Sequence, residues 1–287
     1  MNVLATLSAL CFFIGNVLIV YYMNEQRKTN NDGSSSSTRK SFMDFDPETI
    51  ESRFEERLAG SNILTVGRLM NVVGWMLLCA PVIHLAWILS HKGNNRMGLH
   101  LTIGLLALMG SFTEWIARFL SFGQTMAIRT MVNEEWNLSN WIPEDPEQND
   151  GTGWQALEMS FIVTHGLVWY VEAIEFIILA AMMLFLAWSM SGFKAIERPL
   201  GERTFGNLFI CWTVVVSLLA LTDFILQVLV FVNVTRGPLL KFSYLVAIIS
   251  RGLLLPVWLI ILGCKLPAAQ QQLQTFQRNR GEARSLS

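Results

Sequence analysis

The sequence predicts an all-α fold, a polytopic transmembrane helical bundle, with five core helices behind an N-terminal hydrophobic anchor segment. Three observations predict it. Hydrophobic residues make up 52% of the 287 positions and charged residues only 15%. Soluble domains carry about 25% charged residues. The apolar residues fall in long runs, each exceeding the ~20 residues that cross ~30 Å of hydrocarbon. Short polar connectors separate the runs, and mean hydropathy is +0.42. Such runs must be helical, because hydrocarbon offers nothing to satisfy an open backbone. No alternating ten-residue pattern suggests a β-barrel.

The first run covers residues 3–22 within an N-terminal segment 1–22. Nothing basic precedes it and no small-x-small cleavage site follows. It therefore reads as an uncleaved anchor, with a cleaved signal peptide as the alternative. A polar linker, 23–63, contains Ser34, Ser35, Ser36 and Ser37 and reads as flexible. Inside it Asp46-Pro47 gives an N-cap followed by proline at the first helical position. Ile50, Phe54 and Leu58 then recur at i, i+4, i+8 among charges. This predicts an amphipathic surface helix over about 47–59.

The membrane domain spans 64–264. Its five runs cover about 65–90, 98–122, 156–190, 205–234 and 242–263. Gly60, Gly67 and Gly74 recur every seven residues, and Gly104, Ala107, Gly110 and Ser111 line the next run. Small residues at such spacing permit close helix approach. The loop 123–153 is acidic and carries Trp136 and Trp141, which favours the headgroup level. Its segment 145–153 departs from an EF-hand pattern. Residues 265–287 read as a basic polar tail.

Basic residues set the orientation. Lys92, Arg96, Lys194, Arg198, Arg203 and the tail lie on one side of the five core runs. The positive-inside rule places that side, with the C-terminus, in the cytoplasm. A spanning first segment would bring the linker's basic residues to the outer side and balance the two. The candidate N-glycosylation sequons at Asn137 and Asn233 both fall on the outer side.

The polar residues inside the runs carry the functional information. Glu114 and Arg118 are four apart, as are Asp223 and Gln227. His165 and Glu172 are seven apart and share a helix face, and Glu175 lies one turn beyond Glu172. Arg251 sits in the last run, and Pro256 removes the backbone hydrogen bond to Gly252 beside it. A charge at mid-span costs about 2.5–3.5 kcal/mol on insertion scales. These groups should therefore face one another or a wet cavity, at a shared depth between midplane and outer surface. Four carboxylates exceed the two arginines, and the surplus must be relieved by protonation, a bound cation or Arg68.

Three readings follow. The first is translocation or sensing of a small solute, cation or proton. Its ligands are Glu114, Glu172, Glu175 and Asp223, with His165 and Gln227, and Arg118 and Arg251 are counter-charges. The second is a structural or assembly membrane protein whose buried charges fix helix packing. The third is an intramembrane enzyme, or a haem carrier using His84 and His100. No catalytic residue, metal site or cofactor is assigned: Walker, dinucleotide, H-E-x-x-H and G-x-S-x-G motifs are absent. The net charge of −1 gives no basic excess for nucleic acid. The lipid bilayer is the implied partner, with a small cation, proton or solute as ligand and an oligomer or second membrane protein as further candidates.

Overall fold

The structure is a computed structural model. It describes residues 2–32, 61–91, 97–133, 152–193, 205–231 and 236–285, almost all of them helical and none in a strand. The helices are α1 (Asn2–Asp32), α2 (Ser61–His91), α3 (Met97–Asn133), α4 (Thr152–Phe193), α5 (Asn207–Phe231), α6 (Arg236–Ala247) and α7 (Leu255–Ser285). A π-helical segment, Ile248–Leu254, joins α6 to α7 without a break. Among the described residues, six helical stretches are long and apolar enough to cross a membrane. They are Asn2–Tyr22, Ile63–Ser90, Met97–Gln124, Gly166–Ser191, Asn207–Leu229 and Phe242–Thr275.

Successive helices pack side by side, and α1 closes the ring by packing on both α2 and α7. The first segment is thus packed into the bundle. Its Ala5, Ser8, Ala9 and Phe12 are buried. Ser8 donates to the carbonyl of Gly74 at 2.7 Å, and Asn16 donates to Asn71 at 3.3 Å.

The glycines of α2 serve the close approach that their spacing predicts. A Cβ on Gly15 would stand 2.7 Å from the carbonyl oxygen of Gly67 and 2.6 Å from Asn71 Oδ1. The carbonyl belongs to a helix backbone and cannot swing aside. Gly15→Leu is therefore expected to wedge α1 from α2 and cost about 1–3 kcal/mol, read as a lower thermal midpoint in detergent. Gly98→Ala is the control, since no atom lies within 4 Å of its Cβ position.

Helix α3 shows how the sequence sorts its faces. Ile103, Ala107, Gly110, Glu114, Ala117, Arg118 and Ser121 are buried, at the three- and four-residue spacing of one helix face. Leu101, Leu105, Leu108, Phe112, Trp115 and Phe119 cover the opposite face and are exposed. The stripe turned to lipid is the apolar one, and the charges are turned inward, as the cost of charge in hydrocarbon requires.

Several boundaries differ from the sequence reading. Helix α1 continues to Asp32, past the apolar run and into the polar linker. Helices α3 and α4 extend to Asn133 and back to Thr152, so both flanks of the acidic segment are helical. The residues after Gly263 continue α7 as far as Ser285, and Leu266, Ala269 and Leu273 are buried. Ala, Gln and Leu there are good helix formers, so the helix outlasts the hydrophobic run. The amphipathic segment 47–59, the two sequons and the connectors around residues 92–96 and 194–204 lie outside the described residues.

Candidate functional site

Charged residues of three helical stretches meet inside the bundle. On α3, Arg118 Nε donates to Glu114 Oε1 at 2.8 Å, the i, i+4 pair legible in the sequence. The same guanidinium reaches across to α4, where Nη1 lies 2.7 Å from Glu172 Oε1. Arg251, on the π segment, donates from Nη1 to Glu175 Oε1 at 2.8 Å. Its guanidinium carbon also lies 4.1 Å from the centroid of the Phe176 ring. The two arginines thus each bind a different carboxylate of α4, one turn apart.

Trp75 of α2 completes this group. Its indole N–H donates to the oxygen of Glu175 that Arg251 also binds. The ring is held edge-on by Phe12 of α1, at 6.1 Å between centroids. It also fills the space over Gly110, where a Cβ would come within 2.5 Å of it. Trp75 was not singled out from the sequence. The available signal was its place near the middle of a span, where tryptophan is unusual because the ring prefers the interface.

The second oxygen of Glu175, Oε2, is buried and receives no N–H or hydroxyl donor. The carboxyl of Glu114 lies within hydrogen-bonding reach of Glu175. Two ionised carboxylates repel at such a distance, so the pair is compatible with burial when one proton lies between them. Both side chains are almost wholly enclosed, at 0% and 1% exposure, whereas Glu172 is 26% exposed. Glu172 is thus the carboxylate of this group most open to the surroundings.

Asp223 and Gln227 form an adjoining group on α5. Asp223 accepts from Ser243 Oγ of α6 at 2.6 Å and from Gln227 Nε2 at 3.2 Å. Gln227 Oε1 is buried without a hydrogen-bond partner. Arg251 acts on Asp223 through space but makes no direct contact with it. The sequence did not reveal the hydroxyl partner of Asp223 on α6.

Glu114 and Arg118 lie past the middle of Met97–Gln124, and Glu172 and Glu175 lie in the first half of Gly166–Ser191. Asp223 lies late in Asn207–Leu229 and Arg251 early in Phe242–Thr275. With alternating helix directions, all fall in the half of the bundle where α2 begins. His165 falls just before its span, and its side chain is outside the described residues, so no role is assigned to it.

The backbone near Arg251 answers the proline after it. Pro256 has no N–H to continue the α-helical pattern. Over Ile248–Leu254 the chain takes the wider π turn, and Leu255 N–H bonds to the carbonyl of Ser250, five residues back. The expected kink is therefore an added fraction of a turn, which changes the direction in which Arg251 projects. π segments of this kind recur at functional sites. Gly252, next to Arg251, packs against Asn16 of α1, with its Cβ position 3.1 Å from Asn16 Cβ.

The other polar residues separate from this centre. His100 shares a 2.7 Å hydrogen bond with Ser189 of α4. His84 stacks on Trp87 and lies near Gln270 of α7. The two histidines thus engage different helices, which gives the haem reading no facing pair. Among the described residues no three His, Cys, Asp or Glu side chains converge as metal ligands. A small pocket of about 20 Å³, room for about one water, adjoins Arg118 and is lined also by Thr65, Arg68, Leu69, Ser121 and Phe122.

The chain matches no protein-family model, no curated protein and no solved structure.

Proposed function

We propose that this integral membrane protein translocates or senses protons through its buried carboxylate and guanidinium cluster. The observation that carries the reading is the approach of Glu114 and Glu175, from different helices, in a cluster where three carboxylates meet the guanidinium groups of Arg118 and Arg251. Ion pairing alone leaves negative charge in hydrocarbon, and a bound proton removes it at least cost. A proton fits better than a larger cargo. The adjoining pocket has room for about one water, and no metal-ligand group converges among the described residues. Glu172, partly exposed and bound to Arg118, is the entry group to the enclosed pair. With the C-terminus in the cytoplasm, as the basic connectors predict, this entry lies on the outer side.

The test is proton flux in liposomes carrying a pH-sensitive dye, with membrane potential clamped. The native protein should carry flux above that of empty liposomes. Glu172→Gln should reduce it at least tenfold, while the protein keeps its thermal midpoint. A native protein that carries no flux and gives no pH-dependent conformational signal contradicts the reading.

The second reading, helix locking, is favoured by a specific observation. Both arginines of the cluster are seated on carboxylates at 2.7–2.8 Å and bridge separate helices. Under that reading Glu172→Gln lowers the thermal midpoint and there is no flux to lose.

A further inference from the structure

The pocket beside Arg118 has chemistry that the proton reading does not use. It lies between α2 and α3 and combines two guanidinium groups, Arg68 and Arg118, with the hydroxyls of Thr65 and Ser121. Arg68 Nη1 donates to Ser121 Oγ at 2.9 Å, which ties the two helices together at this level. Leu69 and Phe122 form the rest of the lining and are exposed, at 44% and 38%. A site with paired guanidinium groups and hydroxyls is suited to an oxyanion with several acceptor oxygens, and arginine's planar fork matches phosphate.

Depth narrows the ligand. Ile63–Ser90 and Met97–Gln124 each have 28 residues, about 42 Å of helix against ~30 Å of hydrocarbon. About 6 Å of each helix therefore projects at each end. Arg68 follows Ile63 by about 7.5 Å of rise, and Ser121 precedes Gln124 by about 4.5 Å. Both lie where hydrocarbon gives way to headgroups. The pocket has room for about one water and is partly open, so it can take one oxygen of a phosphate whose other atoms stay outside. The exposed Leu69 and Phe122 are placed to meet acyl chains.

We propose that Arg68, Arg118, Thr65 and Ser121 form a phosphate-binding site at the membrane boundary, whose ligand is the phosphate of an anionic lipid headgroup or a free phosphate. The site stands independently of proton handling, although they share Arg118. A phosphate in it would compete with Glu114 and Glu172 for that guanidinium, so occupancy would bear on the cluster.

The experiment is thermal unfolding of the full chain in detergent with added phosphatidic acid, phosphatidylcholine or inorganic phosphate. Bound lipid is counted in parallel by native mass spectrometry. A ligand that binds only the folded state raises the midpoint. Phosphatidic acid is expected to raise it several degrees above phosphatidylcholine, and the lipid should remain bound in the mass spectrum. Arg68→Gln should remove at least half of the shift and reduce the bound lipid, with Ser121→Ala as a milder second variant. An equal shift with inorganic phosphate, lost in the same variants, assigns the site to free phosphate. No shift with any phosphate compound, or an unchanged shift in both variants, overturns the proposal.

Discussion

Arg118→Met is expected to destabilise the protein by about 3–5 kcal/mol. The guanidinium holds two carboxylates, Glu114 at 2.8 Å and Glu172 at 2.7 Å. Glu114 is fully enclosed, so its carboxylate has no route to water when its counter-charge is removed. The penalty is mainly that of stranding buried charge rather than that of losing a favourable contact. The measurement is a thermal or chaotrope midpoint in a fixed detergent. Adding Glu114→Gln to Arg118→Met should recover a large share of the loss, because the double variant no longer buries that charge unpaired. A single variant that unfolds like the native protein would show that the pair contributes little.

Arg251→Met is the second large effect, expected at about the same 3–5 kcal/mol. Arg251 is the cationic partner of Glu175 and also lies over Phe176. Without it Glu175 retains the Trp75 indole and the facing Glu114 carboxyl, both weaker partners for a charge. Glu175→Gln in the same chain should restore most of the loss, since a neutral amide needs no guanidinium. Arg251→Lys tests geometry: lysine keeps the charge but not the planar fork or the stacking on an aromatic face. The lysine variant should fall between native and methionine, read by the same midpoint.

These effects rest on side chains of which the sequence revealed the depth but not the direction. Run lengths and hydropathy located all six stretches, because the ~30 Å hydrocarbon thickness sets a length that composition reports directly. Glu114 and Arg118 were legible as partners because four residues on one helix is a fixed geometry. The pairings Arg118 with Glu172 and Arg251 with Glu175 were not. They depend on how neighbouring helices are rotated about their axes, and a hydropathy run carries little of that.

Local effects also hid from the sequence. The π segment before Pro256 re-aims Arg251, and only its proline cause was visible. Trp75 and Ser243 supply hydrogen bonds from α2 and α6, and neither residue carries a charge that would have drawn attention. The place of α1 in the bundle rests on Gly15, Gly67 and Gly74. The sequence offered Gly67 and Gly74 as a packing stripe but did not say which helix would occupy it.

Infrared difference spectroscopy of the purified protein in lipid at neutral pH most directly tests the enclosed acid pair. If Glu114 and Glu175 share a proton, a protonated-carboxyl C=O band is present, shifts in D₂O, and is lost or displaced in both Glu114→Gln and Glu175→Gln. A spectrum in which neither variant alters a protonated-carboxyl band would mean that both side chains are ionised, and would contradict the account.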